Sequence, residues 1–318
     1  MNDVCRLLHI RYPIIQGGMG NISNAQLASA VSEAGGLGTI GVGTMPPDEV
    51  EEIIIETKRR TSQPFAVNIP IQVTPYVDEM ISLVLKHRVP VVSLSAGNPA
   101  PLIPRLAEQG VKIIVVTASV KQAKKAEAAG ANIIVAEGYE AAGINSTLEL
   151  TTMTLIPQIT SAVRVPVVAA GGIGDGRGLL AAFALGAQGV QLGTRLIATK
   201  DAPFHEAYKQ LVTNAGENET VIVGRSVGRV RRIMRTPYAE KLLQYEKEGV
   251  SLETFNEYTS EDRHRRGALQ GDFYEGFVNA GQIAGLIEDM PTVAELFEQM
   301  VKEAKQQLHK LHTLFFRS

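Results

Sequence analysis

Residues 165–195 read VPVVAAGGIGDGRGLLAAFALGAQGVQLGTR, and this stretch decides the fold. Its first five residues are apolar and rich in β-branched side chains, which predicts a strand buried on both faces. The strand ends at Gly171 and Gly172, where adjacent glycines let the backbone adopt positive φ and turn its N–H groups toward an anion. We expect a helix to begin near Asp175 and to end at Gly186.

A second apolar strand, predicted at 189–192, leads into Gly193, Thr194 and Arg195. This loop offers a glycine amide, a hydroxyl group and a guanidinium group. In a (β/α)8 barrel, the loops after the seventh and eighth strands form the standard phosphate site. The two adjacent glycines would make only a tight turn in the simplest alternative, but the Gly-Thr-Arg loop one β/α unit later favours phosphate binding.

The same unit of a strand followed by a helix recurs along the chain. Strands are predicted at residues 14–16, 39–42, 65–69, 91–93, 112–116, 133–136, 165–169 and 189–192. Alternating buried strands and amphipathic helices indicate a parallel sheet, and eight strands indicate closure into a TIM barrel, the (β/α)8 fold. An open doubly wound sheet is the alternative, and the strand count argues against it.

The chain has 318 residues, more than the roughly 250 that such a barrel usually needs. After Arg195 the alternation stops, and residues 201–275 are polar and predicted to be mostly helical. We therefore predict three segments. The barrel covers 1–200, a small helical lid domain inserted after strand eight covers 201–278, and a return to the barrel with a C-terminal helix covers 279–318.

Composition excludes several classes of function. Hydrophobic residues make up 45% and charged residues 20%, which is typical of a globular enzyme, and a formal charge of −2 gives no electrostatic reason to bind nucleic acid or an anionic membrane. Cys5 is the single cysteine, which excludes an intramolecular disulfide and a cysteine-based zinc site and fits the cytoplasm. We expect no metal, no signal peptide and no membrane span.

Small and polar residues follow several predicted strands, where barrels of this type carry their active sites. They are Gln16, Gly17, Gly18 and Met19 after the first strand, Asn68 at the end of the third, and Glu137, Gly138 and Glu140 after the sixth. This set suits a flat polar ring whose phosphate lies on Gly171, Gly172, Gly193 and Thr194. FMN is such a ligand, although a sugar phosphate or a nucleotide would fit the phosphate loops equally well.

Eight motifs are spread in order over nearly the whole chain. They are QGGM at 16–19, VNI at 67–69, AGNP at 96–99, AEGYEAAG at 136–143, LTTMTLIPQ at 150–158, AAGGIGDGRG at 169–178, VQLGTR at 190–195 and AGQIAG at 280–285. Together they resemble the nitronate monooxygenase (2-nitropropane dioxygenase) family, and within it the flavin-dependent enoyl-acyl-carrier-protein reductases in particular. The resemblance implies a TIM barrel with FMN, a helical domain inserted after strand eight, and a homodimer.

The resemblance also implies roles for individual residues. Gln16, Met19 and Asn68 would contact the flavin ring, Gly171, Gly172, Gly193 and Thr194 would hold its phosphate, Glu137 and Gly138 would line the cavity, and Gln282 would close it from the lid side. NADH or NADPH would serve as co-substrate. The substrate would be a small molecule or an acyl group on a carrier protein.

One position departs from the family pattern. Family members read EAGGH after the sixth strand, and that histidine is credited as the base in nitronate oxidation or as a residue needed for reductase turnover. Here the pattern reads EAAGI, with Ile144 at the histidine position. Loss of a general base costs about 10²- to 10⁴-fold in rate. Hydride transfer through FMN suffers less, because the cofactor carries that chemistry, so Ile144 favours a reductase.

Other side chains are weaker candidates. His205 and Glu140 are candidates to replace the missing base, although a structural role for His205 and hydrogen bonds to nearby amides for Glu140 are the commoner cases. The Tyr139 hydroxyl is a candidate donor to a substrate carbonyl. No role is assigned to His9, His87, His264, His309 and His312.

An arginine cluster in the predicted lid fits the phosphates of NAD(P)H or of a phosphopantetheine carrier. It comprises Arg225, Arg229, Arg231, Arg232 and Arg235. Glu240, Glu246 and Glu248 follow closely, so an ion-paired surface is an equal alternative.

We therefore predict an FMN-dependent oxidoreductase that uses NAD(P)H to reduce an enoyl thioester. A nitronate monooxygenase that is reoxidised by oxygen is the first alternative, and a flavin-binding protein without turnover is the second. An enzyme similar to IMP dehydrogenase would need a cysteine in a barrel loop, whereas Cys5 precedes the barrel.

Overall fold

The computed structural model describes residues 2–315. Its strands are β1 (Ile14–Gln16), β2 (Gly38–Gly41), β3 (Phe65–Pro70), β4 (Val91–Ser95), β5 (Lys112–Thr117), β6 (Ile133–Glu137), β7 (Gly143–Ile144), β8 (Val167–Ala170), β9 (Gly189–Leu192), β10 (Thr220–Val223) and β11 (Arg231–Met234). Strands β7, β10 and β11 form a small sheet, and the other eight form one parallel sheet.

The parallel sheet closes on itself. Its strand order is β1-β9-β8-β6-β5-β4-β3-β2, and the two end strands meet through a parallel bridge between Ile15 and Leu37. The Leu37 amide donates to the carbonyl oxygen of Ile14 at 3.0 Å, and the Gln16 amide donates to that of Leu37 at 2.9 Å. The predicted TIM barrel is thereby confirmed, and the doubly wound alternative is wrong.

Helices follow the barrel strands and continue through the remaining chain. They are α1 (Asp3–Leu8), α2 (Ala25–Glu33), α3 (Pro47–Arg60), α4 (Val77–Lys86), α5 (Ile103–Ala107), α6 (Val120–Ala129), α7 (Thr152–Thr160), α8 (Gly176–Ala184), α9 (Thr194–Ile197), α10 (Glu206–Thr213), α11 (Pro237–Lys247), α12 (Leu252–Tyr258), α13 (Glu261–Gln270) and α14 (Val293–Phe315). The helix expected near Asp175 is α8. It begins there because the Asp175 carboxylate caps its amino-terminal end and accepts from the amides of Arg177 and Gly178 at 2.9 and 3.0 Å.

Alternation along the strands sorts the apolar residues into two layers. The inward-facing layer includes Ile15, Leu37, Ala66, Val91, Ile114, Ile133, Val135, Val168 and Ala170, and the outward-facing residues pack against the helices. Helix α1 adds Val4, Cys5 and Leu8 to the inner layer, while the Asn2 side chain donates to the carbonyl oxygen of Gln188 before β9. Helix α1 therefore closes the amino-terminal end of the barrel, and the opposite end is left open for a ligand.

The segment after β9 is less helical than we expected. Strands β10 and β11 pair antiparallel, and β11 also pairs with β7, which lies in the loop after β6. A separate core lies beneath them and includes Val221, Val223, Ile233, Tyr238, Leu242, Phe255 and Phe277. The mostly helical expectation missed these strands because closely spaced arginines mask the short apolar runs around them.

Two absences hold for residues 2–315. No helix among them is long and apolar enough to cross a bilayer. No group of three or more His, Cys, Asp or Glu side chains is arranged to bind a metal ion.

Candidate functional site

A cavity of about 1120 Å³ lies at the carboxyl ends of the barrel strands. Its barrel side includes most of the residues that the sequence indicated, namely Gly17, Gly18, Met19, Asn68, Glu137, Glu140, Gly171, Gly172, Gly193 and Thr194. Its other side includes Arg231, Glu261, His264, Asn279, Gly281 and Ile283. The cavity is therefore formed jointly by the barrel and by the segment that follows β9.

The loops after β8 and β9 bring unpaired backbone donors to this cavity. Gly171 and Gly172 have φ values of 96° and 71°, a conformation that favours glycine. The amides of Gly172 and Gly193 donate to no atom of the described chain, and a Cβ on Gly193 would meet nothing within 4 Å. The Thr194 hydroxyl accepts from the Gly281 amide at 2.9 Å. Open, unpaired N–H groups of this kind suit an anion such as a phosphate.

Two carboxamides face the same space from the strands. Asn68 donates through Nδ2 to the carbonyl oxygen of Ser93 at 3.2 Å and to the Ser95 hydroxyl at 3.1 Å. A Cβ on Gly18 would overlap the Asn68 carboxamide, so the first loop needs glycine there. Gln191 also lines the cavity, and the sequence analysis missed it. Strand alternation could have predicted its direction. The neighbours of Gln191 on β9 face the helices, so Gln191 itself faces the inside of the barrel.

Gln16, Gly138 and Gln282 do not line the cavity, which corrects the sequence interpretation. Gln16 shares a strand face with the outward-facing Ile14, and its Oε1 accepts from the Thr39 amide at 3.2 Å. A Cβ on Gly138 would overlap the Thr152 hydroxyl behind the cavity wall. The Gln282 side chain is exposed, and its neighbours Gly281 and Ile283 contribute to the wall instead.

Glu137 ends β6 on the inward face, two residues beyond Val135. Its carboxyl group lines the cavity and makes no hydrogen bond within the described chain. Burial disfavours the charged form and raises the pKa of Glu137 to about 7. The side chain therefore carries a proton over part of the neutral range and can donate a hydrogen bond to a ligand.

The two candidates for the missing base are placed differently. The Glu140 carboxylate lines the cavity but accepts from the Thr152 amide at 2.9 Å and from the Thr152 hydroxyl at 3.0 Å, so it is held in a structural role. The exposed His205 precedes α10, and its Nδ1 accepts from the Ala207 amide at 3.2 Å. Because His205 caps this helix outside the cavity, it does not replace the imidazole missing at position 144.

Four polar residues, buried or partly buried, line the cavity on the side opposite the barrel. We call them the lid cluster, and they are Arg231, Glu261, His264 and Asn279. His264, to which the sequence analysis assigned no role, is only 2% exposed. Its Nδ1 lies 3.6 Å from Glu261 Oε2, and its Nε2 lies 3.2 Å from Asn279 Nδ2. The one local signal was the spacing of Glu261 and His264, which puts both on one face of α13.

The remaining arginines are mostly occupied by protein groups. Arg225 donates to Glu149 and to the Tyr139 hydroxyl, and Arg235 pairs with Glu240, which matches the ion-paired alternative for both. Arg232 donates to the carbonyl oxygen of Tyr139 at 3.1 Å. The Tyr139 hydroxyl is thus engaged with Arg225 and lies outside the cavity wall.

Arg195 has a structural role as well, although we counted its guanidinium group among the donors of the second phosphate loop. It is 4% exposed and donates to the carbonyl oxygens of Ala198 and Asp289, both at 3.2 Å, and to the Asp289 carboxylate. Gly193 and Thr194 are therefore the members of that loop that reach the cavity.

Comparison with known proteins agrees with this architecture. A probable nitronate monooxygenase of Staphylococcus saprophyticus is 32% identical over 96% of this chain and 98% of its own length. A (3aS,4S,5R,7aS)-5-hydroxy-7a-methyl-1-oxo-octahydro-1H-indene-4-carboxyl-CoA dehydrogenase of Mycobacterium tuberculosis is 32% identical over 94% of both chains. The structure of FabK from Thermotoga maritima superposes with a TM-score of 0.94 at 41% identity, covering 99% of each chain.

The family model for nitronate monooxygenase matches residues 2–79 and 71–303, which include the phosphate loops and the lid cluster. The chain therefore belongs to the nitronate monooxygenase family of oxidoreductases.

Proposed function

We propose that this protein is an FMN-dependent oxidoreductase that uses NADH or NADPH to reduce an enoyl thioester. The continuity of the cavity carries the proposal, because one space runs from the phosphate loops to the lid cluster. Its volume of about 1120 Å³ exceeds the roughly 1000 Å³ at the upper end of pockets for one small ligand. A cofactor and a substrate therefore have room side by side.

The residues present fit FMN. Unpaired amides at Gly172 and Gly193 suit its phosphate, and the inward carboxamides of Asn68 and Gln191 suit the polar edge of a flat ring. A protonated Glu137 would add a hydrogen-bond donor. Bound FMN would supply hydride transfer, and the protein would orient the reacting groups and exclude water.

Two relatives support a thioester substrate. The motifs resemble those of enoyl-acyl-carrier-protein reductases, and the chain superposes on FabK of Thermotoga maritima over 99% of both chains. The Mycobacterium tuberculosis relative is named as a dehydrogenase of a carboxyl-CoA compound. The name of this relative describes an acyl group in thioester linkage, the substrate class that we propose here.

Nitronate oxidation is the second candidate, and the position of His264 favours it. The sequence argument against it was the absence of a base at Ile144, but the cavity wall holds an imidazole from α13. The family match and the Staphylococcus saprophyticus relative point the same way. A flavin-binding protein without turnover would require the bound flavin to resist reduction by every donor offered.

Anaerobic stopped-flow absorbance of the purified yellow protein tests these alternatives. We expect NADH or NADPH to bleach the flavin and a crotonyl thioester to restore its colour. Bleaching by propyl nitronate with no response to nicotinamide would reject the reductase in favour of nitronate oxidation. No bleaching by either donor would support a flavin-binding protein without turnover.

Further properties remain proposals. We propose a cytoplasmic homodimer whose lid domain spans residues 201–278, with an acyl-carrier-bound or small-molecule substrate. Sedimentation velocity would test the dimer, since a monomer near 34.2 kDa would contradict it. Hydrogen exchange would test the lid boundaries, because residues 201–278 are expected to open together if this segment is a separate unit.

A further inference from the structure

The imidazole of His264 is held in one orientation inside the cavity wall. Its ring stacks on Phe277 with centroids 5.3 Å apart and planes 12° apart. Nδ1 faces Glu261 Oε2 at 3.6 Å. Nε2 lies 3.2 Å from Asn279 Nδ2 and accepts from it when His264 is neutral, so Nε2 carries a proton toward a ligand only when the Asn279 side chain turns or the ligand replaces it. A carboxylate beside one imidazole nitrogen, with the other nitrogen facing the reacting group, is the arrangement used for proton transfer.

Glu261 provides a fixed negative charge beside this ring. Burial alone would raise the pKa of Glu261, but its contacts with His264, Arg231 and the Asn21 amide outweigh that effect and hold the pKa at about 2. The Asn21 amide donates to Glu261 Oε2 at 3.2 Å. At neutral pH the ionised carboxylate therefore orients His264 and stabilises an imidazolium whenever one forms.

Arg231 is a second unsatisfied member of the lid cluster. Its side chain is 10% exposed, its nearest carboxylate oxygen is Glu261 Oε1 at 4.0 Å, and its guanidinium makes no hydrogen bond within residues 2–315. Asn279 Oδ1 is also buried without a partner. The unused N–H donors of Arg231 suit a carbonyl oxygen of a ligand.

The lid cluster lies against the position where the family carries its histidine. Arg231 is the Cα partner of Ile144 in the pairing of β11 with β7. A Cβ on Gly143 would lie 3.7 Å from the Asn279 carboxamide carbon, and Asn279 contacts His264. The imidazole from α13 therefore reaches the wall that Ile144 leaves without a titratable group.

We propose that His264, positioned by Glu261, is the catalytic acid of the enoyl thioester reduction and takes the place of the imidazole missing at position 144. This inference rests on the proposed function. Reduction breaks the C=C π bond and forms two C–H bonds, one from a hydride delivered to the β carbon and one from a proton delivered to the α carbon. Bound reduced FMN would supply the hydride and its two electrons, and NADH or NADPH would restore them.

In this reaction His264 gives the proton from Nε2, becomes neutral imidazole and regains a proton from water. Arg231 donates to the thioester carbonyl oxygen, where negative charge develops as the β carbon accepts the hydride. Glu261 acts through His264 and is a positioning residue.

The test compares His264→Gln with His205→Gln, which removes an exposed imidazole outside the cavity. Stopped-flow absorbance measures flavin reduction by NADH or NADPH and reoxidation by a crotonyl thioester separately. We expect His264→Gln to slow reoxidation by about 10²- to 10⁴-fold and to change reduction by the nicotinamide far less. His205→Gln should leave both rates near those of the wild type, and Glu261→Gln should slow reoxidation less than His264→Gln.

A second readout does not depend on turnover. In ¹⁵N-histidine-labelled protein, the imidazole signal that disappears in His264→Gln is assigned to His264 by NMR. We expect this signal to shift when crotonyl pantetheine is added, and the His205 signal to stay in place. Thermal unfolding of each variant shows whether it is folded. If His264→Gln is not, the His264 signal of the wild type is assigned by elimination, from single His→Gln variants of the other five histidines, and its response to crotonyl pantetheine decides the contact.

The outcomes separate the two proposals. Unchanged reoxidation in a folded His264→Gln variant, or an imidazole signal that does not respond to crotonyl pantetheine, would overturn the role of His264 and leave the reductase intact. Wild-type protein that is bleached by nicotinamide but not reoxidised by a crotonyl thioester would overturn the enoyl reductase, and the role of His264 with it.

Discussion

Replacement of Glu137 by Gln should change how the stability of the protein depends on pH. Glu137 faces the cavity from the end of β6 and has no hydrogen-bond partner within the described chain. Burial raises its pKa from 4.5 to about 7. Glutamine keeps the size of the side chain and removes its titration, so the variant isolates the contribution of this one proton.

The sign follows from proton binding by the two states. Between pH 4.5 and about 7 the folded protein keeps the Glu137 proton, while the unfolded chain has lost it. The free energy of unfolding therefore falls as pH rises through this window and levels off above it. A pKa difference of this size corresponds to at most about 3 kcal/mol, and water in the cavity reduces it. Glu261, whose pKa is lowered to about 2, titrates below this window and does not contribute to the effect.

Urea unfolding of flavin-free protein from pH 5 to pH 8 measures the effect, with the exposed Glu253→Gln on α12 as the matched control. We expect the difference in unfolding free energy between Glu137→Gln and wild type to move in favour of the variant by about 1–2 kcal/mol across this range. The difference between Glu253→Gln and wild type should stay constant. Parallel curves for wild type and Glu137→Gln would refute the raised pKa and remove the proposed hydrogen-bond donor.

Three further predictions concern the phosphate loops and the lid cluster. Arg195→Met should lower stability by about 2–4 kcal/mol, because buried hydrogen bonds from a charged group are lost, and flavin fluorescence titration should show an unchanged FMN dissociation constant. Gly172 and the control position Gly110 have φ values of 71° and 76°, so Gly172→Ala and Gly110→Ala should each lower the free energy of unfolding in urea by about 1–2 kcal/mol. Only Gly172→Ala should weaken FMN binding, by about 10-fold or more, because it shifts a backbone amide of the phosphate loop. Ile144→His in the His264→Gln background should restore part of the thioester reoxidation rate in stopped flow; no recovery would show that the two positions are not equivalent.

The barrel could be predicted from sequence because its evidence is local. Each buried strand is a short apolar run. Several of the loops that reach the cavity carry glycines, and close contacts require some of these, such as Gly18 against Asn68. Parallel strands place all these loops at one end, so the position of the site follows from the fold. Gly171, Gly172, Gly193 and Thr194 accordingly lie around one cavity.

Errors within the barrel came from ignoring side-chain direction. Gln16 and Gln191 both stand near the carboxyl ends of strands, but strand alternation turns Gln16 toward the helices and Gln191 into the cavity. The QGGM motif by itself does not show which face of β1 Gln16 occupies. Counting from the inward-facing Ile15 would have separated the two glutamines.

The lid part of the site has no comparable local signal. Arg231, His264 and Asn279 come from β11, α13 and the chain after it, and they meet only through long-range packing on Phe277 and beside β7. A lone histidine on a polar helix is ordinarily solvated, so its pattern in the sequence does not suggest a cavity wall. Under the proposed function, the barrel loops would bind the phosphate of the cofactor and the lid cluster would protonate the substrate beside it. Ile144 and His264 both line the cavity. An imidazole absent from the loop after β6 can therefore be supplied by α13, and the sequence of that loop alone does not predict which reaction the enzyme performs.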